Sequence, residues 1–335
     1  MFEVSALGIF SIIIGWGYQP ERISAGTTLL IYTSLASLPI LGACLLIKSR
    51  LKIADFWALT SLASHEGTWY SVGGGGLLGL SVTLAFLVKF PVYFVHLWLP
   101  KAHVEASAGG SILLAGVLLK IGGYGLYRFS SLVPAASSVC MLRWALWGSA
   151  GISLLCIRQK DLKVLIAYSS VAHIGAVIGC LFTKTTFAVF RGMLIMVAHG
   201  VSSSIMFFIA GLLYNVSQSR QIILNSGILS TSPIFRAFWL AGCLGNIGVP
   251  PTVNFWSELR RLLALINTHL QAVFPFGVVL IASVAYSITL YGSTQSGQIR
   301  STKRERINLR QRENRVLMGH VVLLFLLTPV FRRAL

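Results

Sequence analysis

Residues 84–106 read LAFLVKFPVYFVHLWLPKAHVEA, and this stretch departs from an ordinary membrane helix at two neighbouring positions. Lys89 places an ammonium about five residues into an apolar run, with the rest of the run still to come. Pro91 follows two residues later and removes a backbone donor where lipid offers no substitute. A charge and a helix break at membrane depth are tolerated only where the backbone lines a protein-enclosed, watered cavity. Transporters place ion sites at such breaks. The stretch predicts a discontinuous membrane helix in a chain that handles ions.

Composition agrees. Mean hydropathy is +0.78. Of the 335 residues, 55% are hydrophobic and 11% charged, against roughly 25% charged in soluble domains. The five cysteines (Cys44, Cys140, Cys156, Cys180, Cys243) lie singly in or beside apolar segments, a spacing that suits neither disulfides nor zinc or iron–sulfur ligation. They read as small core residues. The formal charge of +18 would suit nucleic acid, but lysine and arginine sit mainly in short loops between apolar runs, which points to membrane topology and anionic lipid headgroups. No basic leader precedes an apolar stretch, so no cleavable signal is expected.

Apolar runs divide the chain into about ten spans. The first runs from Met1 to about Trp16 and ends at the turn GYQPER; the second covers about 23–47. A long connection, 48–76, closes on Gly73–Gly76, which lacks the lysine and hydroxyl of a phosphate-binding loop and reads as a flexible linker. The broken helix follows, then spans near 109–127, 139–157, 162–182 and 187–214. A second broken helix is expected over 234–266, interrupted at GVPP (Pro250, Pro251). Spans near 273–291 and 316–330 flank the densest charge run, RSTKRERINLRQRENR at 300–315. Two interrupted helices in corresponding halves are the mark of an internal repeat with sites at the breaks. The expected divisions are 1–137, 138–295 and 296–335. Basic residues in alternate loops number thirteen against nine, which puts the 296–315 loop on the matrix or cytoplasmic side.

Ionisable groups inside apolar spans carry the chemistry: Glu3, Lys89, Lys120, His173, His199 and Glu258. Burial disfavours the charged form of each, while an opposite charge nearby restores it, so such a group can change protonation when its partner moves. That is what a proton relay requires. Plainer readings stand beside this one. Lys120 precedes Gly122, Gly123 and Arg128 and could snorkel to an interface. Glu3 could be an interfacial residue near the chain start, and a lone histidine is usually a satisfied core group. His96 and His103 share a helical face by their spacing, but Pro100 intervenes and no third ligand is near, so no metal site is expected.

The segments LVKFPVYFVHLWLPKAHVEA, VLLKIGGYG, RQKDLKVLIAYSSVAHIG, LIMVAHGVSSS and GNIGVPPTVNFWSEL together resemble the chain-4 family of antiporter-like membrane subunits of respiratory NADH–ubiquinone oxidoreductase (complex I). The resemblance runs in order through essentially the whole chain. It implies an all-α integral membrane protein with about ten transmembrane helices, two of them broken, in an inverted-repeat antiporter-like arrangement. It further implies proton translocation in the mitochondrial inner membrane. By matching motif, Glu3 stands for the glutamate before the family's WGNQPER-like turn, Lys89 for the broken-helix lysine, Lys120 for the central lysine and Glu258 for the glutamate of the second broken helix. His173 and His199 match the histidines between the two lysine-bearing regions.

The family carries about four further helices before the one holding Glu3, so the resemblance implies that these come from a separate polypeptide or are lost. Expected partners are the neighbouring antiporter-like subunits, that separate polypeptide and anionic lipid, with no nucleic acid. The chain shows no nucleotide fingerprint, haem ligand pair or cysteine cluster. NADH, FMN, iron–sulfur clusters and ubiquinone are therefore expected in other subunits, with no cofactor or metal here. Two alternatives remain open: a subunit of a multi-subunit sodium/proton antiporter, and a structural membrane module whose basic 300–315 segment binds lipid or RNA.

Overall fold

A computed structural model describes residues 2–52, 58, 75–183, 185–227, 232–296 and 310–333. Among these residues the chain is helical, without strands. We number the helices α1 (Phe2–Trp16), α2 (Arg22–Leu51), α3 (Gly75–Lys89), α4 (Trp98–Glu105), α5 (Ala108–Phe129), α6 (Ala135–Ile157), α7 (Leu162–Phe182), α8 (Thr186–Ser217), α9 (Pro233–Ile247), α10 (Val253–Thr268), α11 (Val273–Gln295) and α12 (Gln311–Arg333). Six segments, those of α2, α5, α6, α7, α8 and α11, are each long and apolar enough to cross a membrane alone. The pairs α3–α4 and α9–α10 are the two interrupted helices.

Burial orders these helices. The apolar window of α7 is 89% buried and packs against α6, α8, α4 and α11, whereas that of α2 is 17% buried. The α7 sequence AYSSVAHIGAVIG explains its place: small residues let neighbouring backbones come close where lipid gives no hydrophobic drive. On α2, Ile31, Leu35, Leu38, Leu41 and Leu45 face outward, as suits a helix at the rim of a membrane protein.

Three sequence expectations change. First, α3 begins at Gly75, so Gly75 and Gly76 form its opening turn instead of a linker, and Lys89 is its last residue. The glycines masked the start of the helix, and the apolar run really begins upstream of Leu84. Residues 73 and 74 of the glycine run lie outside the described residues. Second, α12 starts inside the basic run, at Gln311, because the Glu313 carboxylate accepts the Arg310 N–H at 3.0 Å and closes the first turn. The rest of that run, through 309, lies outside the described residues, and with it most of the loop used for orientation. Third, Cys156, Cys180 and Cys243 are buried, but Cys44 and Cys140 are exposed. On a membrane helix the lipid-facing side accepts a small apolar residue as readily as the core does.

Candidate functional site

At the first break the carbonyls that Pro91 disturbs find other donors. Pro91 has no N–H to give Leu87, and Val92 N–H serves that carbonyl instead, at 3.3 Å. Val88 O thereby loses its helical donor, and the indole of Trp98 replaces it at 3.0 Å. The chain then turns through Phe94, at φ +79°, before α4 begins. Water was the expected solvent for these groups; here an indole from the second half-helix does part of that work. The Lys89 ammonium, 2% exposed, reaches Glu3 Oε1 of α1 at 2.9 Å, so the buried cation has its carboxylate. Glu3 itself is half exposed.

Lys120 sits on α5 just after a wider π-helical turn, Leu114–Leu118, in which Leu119 N–H reaches back to Leu114 O. Such turns often mark functional sites. The Lys120 Nζ donates to the carbonyl of Ala115 and lines a small cavity with Phe90, His173, Ile174, Val177, Ile195, Met196 and His199. The side chain turns inward; it does not snorkel. The glycines that suggested snorkelling serve packing: a Cβ at Gly122 would lie 3.0 Å from Phe90 N and one at Gly123 3.1 Å from the Phe90 ring, and nearby Gly125 leaves room for the Phe86 ring in the same way. They let α5 lie against the end of α3, which brings Phe90, next to Lys89, into the Lys120 cavity.

From that cavity the row continues. The rings of His199 (α8) and His173 (α7) lie 5.3 Å apart. His173 Nδ1 is 3.8 Å from Glu258 Oε1, and its Nε2 is 3.4 Å from the Tyr286 hydroxyl of α11. His173, His199 and Glu258 are all buried. Glu258 is positioned by the second break. Asn254 donates to Gly245 O across the gap, and Gly248 closes α9 at φ +75°. A Cβ at Gly248 would stand 2.6 Å from Glu258 Oε2, so the backbone demands glycine there and any side chain would push the carboxylate aside.

Thus Glu3 meets Lys89, and Lys120, His199, His173 and Glu258 form a second, continuous group. Phe90, next to Lys89 in the chain, lines the Lys120 cavity and so adjoins both groups. His96 and His103 are held apart by aromatic packing, His96 between Tyr93 and Tyr168 and His103 stacked on Phe207 at 4.1 Å.

Three cations included in the thirteen-against-nine loop count, Lys163 and Arg220 on the larger side and Arg261 on the smaller, prove to be interior. Arg261, one turn beyond Glu258, is 1% exposed, lies over the Phe276 ring at 5.0 Å and keeps Nε and Nη2 buried without a hydrogen-bond partner. Lys163 is buried at the start of α7; it donates to Ala106 O at 2.8 Å and Val104 O at 3.3 Å and stands 4.9 Å from the Tyr18 ring centroid. Arg220, partly buried, binds Glu105 Oε1 and Val104 O, both at 3.1 Å, and Gln19 Oε1 at 2.9 Å. Lys163 and Arg220 thus supply positive charge at the C-terminus of α4, where its dipole is negative. The available signal was Glu105 in the HVEA run: a carboxylate expected at depth needs a cation. The loop asymmetry keeps its sign without these three.

Two broken helices, with buried titratable groups at each and between them, define an antiporter-like membrane chain. The chain belongs to the NADH:quinone oxidoreductase/Mrp antiporter transmembrane family, whose profile matches residues 1–284. It is 40% identical over 303 residues to NADH-ubiquinone oxidoreductase chain 4 of Aedes aegypti, covering 90% of this chain and 66% of that one. With the protein of the same description from Struthio camelus it shares 37% identity, over 98% of this chain and 72% of the relative. The chain thus spans about two thirds to three quarters of these relatives. The fold is that of a chain in respiratory complex I from Thermus thermophilus, with a TM-score of 0.87, 24% identity, and coverage of 98% of this chain and 69% of that one.

Proposed function

We propose that this chain is a proton-translocating membrane-arm subunit of a respiratory NADH:ubiquinone oxidoreductase. The observation that carries the reading is the interior row of half-buried Lys120 and buried His199, His173 and Glu258, with adjoining members in one cavity or within reach of a small side-chain movement or one water. A row of groups that each hold a proton, in a fold that otherwise excludes charge, suits proton relay. The Glu3–Lys89 pair stands at the other end. While the pair is closed, the carboxylate holds the proton on Lys89. Once Glu3 moves off, a lone ammonium in an apolar surround is unstable, which favours passing the proton on toward Lys120.

In this reading the electron carriers, NADH, FMN, iron–sulfur clusters and ubiquinone, belong to other subunits, and redox events there move the charges that open and close the pair. Neighbouring antiporter-like subunits are its partners. The membrane is the mitochondrial inner membrane, with the GYQPER turn on the matrix side. The test is purification through a tag on this chain, followed by reconstitution into vesicles. Expected is NADH:ubiquinone reductase activity coupled to vesicle acidification. Recovery instead of sodium/proton exchange without NADH oxidation would overturn the reading in favour of an antiporter assembly.

A further inference from the structure

On the side of the molecule away from the GYQPER turn, a cavity of about 480 Å³ opens between α6 and the connection joining α10 to α11. Leu142, Arg143, Trp147, His269, Leu270 and Gln271 supply most of its wall, and among the described residues no carboxylate lines it. The Arg143 guanidinium donates from Nη2 to Gln271 Oε1 at 2.9 Å, which satisfies one N–H and leaves the charge facing a neutral group. Its depth is the telling feature. Arg143 is the ninth residue of a 23-residue helix, about 12 Å along the axis from the first at 1.5 Å per residue. The α10–α11 connection meets α6 at this level, so the exposed Arg143 and Gln271, with half-buried His269, stand beside a helix long and apolar enough to cross a membrane. An arginine within such a span favours an anion beside it. Around the opening the surface turns apolar: Trp147, Leu270 and Phe274 are 57%, 71% and 67% exposed, and the Trp147 and Phe274 rings lie 6.0 Å apart. Aromatic rims of this kind mark the headgroup level.

We propose that this cavity seats the phosphodiester of an anionic phospholipid on Arg143, with the acyl chains running down over Trp147, Leu270 and Phe274. The volume suits a headgroup. A choline lipid would bring an ammonium beside the Arg143 cation with no carboxylate among the described lining residues to offset the repulsion, whereas an anionic headgroup brings net negative charge, and His269 adds a second polar nitrogen that can donate to phosphate. The inference rests on the membrane fold and is independent of proton transfer.

The test uses the intact assembly purified through this chain, stripped of lipid in detergent and supplied with photoactivatable phosphatidylglycerol or phosphatidylcholine. Expected is crosslinking of phosphatidylglycerol to peptides containing residues 142–147 or 269–275, outcompeted by unlabelled phosphatidylglycerol and unaffected by inorganic phosphate. Arg143→Gln should lower this labelling about fivefold, while Arg143→Lys, which keeps the charge, should retain most of it. Imaging of the same sample should show headgroup density beside Arg143. Equal labelling by both lipids, competition by inorganic phosphate, an unchanged Arg143→Gln, or a neighbouring subunit's side chain filling the cavity would each overturn the proposal. If Arg143→Gln fails to assemble, Arg143→Lys and the competition arms decide on their own.

Discussion

Lys120 shows how far a single residue could be read from the chain. A lysine in VLLKIGGYG is plainly out of place in a span, and that alone singled it out; whether it pointed inward depended on glycines whose role is visible only once Phe86 and Phe90 pack on them. Replacing Lys120 with alanine should lower coupled proton transport about 100-fold, the scale of losing a positioned proton carrier. Assembly should be retained, because the ammonium makes no tie to another helix and its hydrogen bond is to α5's own Ala115. Vesicle acidification measured against subunit content checks both halves, and normal acidification by an assembled variant would remove Lys120 from the path. Gly248 makes a sharper case. Alanine there meets a left-handed φ and the Glu258 carboxylate together, so Gly248→Ala should slow proton transfer far more than its added methyl suggests. A structure of the variant should show Glu258 turned away from His173. An unmoved carboxylate with full activity would contradict this account of the second break. Arg261 was not legible at all: next to Arg260 it looks like a loop cation, and only three-dimensional packing places it inside.

At the scale of elements, the breaks were legible because proline and charge are local signals, and the span ends were not, because they depend on capping. Gln311 opens α12 inside a charge run since one glutamate reaches back to the Arg310 N–H, an event that hydropathy averaging conceals. The π-helical turn before Lys120 leaves no mark in composition, since Leu-Ala-Gly-Val-Leu suits an ordinary helix. How a break is filled is likewise a matter of tertiary contact. Trp98 Nε1 takes over a carbonyl that Pro91 strands, which yields a prediction belonging to the element itself. Trp98→Phe keeps the bulk and removes the donor, leaving Val88 O buried without its donor, a change of about 1–3 kcal/mol. The first break should loosen, seen as faster amide exchange over residues 86–98, with no direct effect on Glu258. Unchanged exchange there would mean that the indole hydrogen bond is incidental to the break.

Across the whole molecule, the groups that carry charge fall into two kinds, and confusing them would mislead any mutational survey. Lys89, Lys120, His173, His199 and Glu258 line the interior and are the groups that the proposed relay would protonate and deprotonate in turn. Lys163, Arg220 and Glu105 are the reverse. Arg220 lies far along the chain from Gln19 and Glu105, and its guanidinium joins the turn after α1, the end of α4 and the segment after α8, which itself pairs with the α6–α7 turn through Leu162 N–H to Arg220 O and Ile222 N–H to Lys160 O, both 2.9 Å. Glu105 is 4% exposed, so Arg220→Met would strand a buried carboxylate, a loss of about 3–5 kcal/mol. That loss falls on folding and not on chemistry. The variant should therefore lower the amount of assembled chain and its melting temperature, while whatever assembles should transport protons at close to the normal rate per molecule. Arg220→Lys should recover part of the amount, since one ammonium can reach Glu105 but cannot also span to Gln19. The opposite pattern, normal abundance with failed transport, would move Arg220 from the frame of the molecule into its proton path.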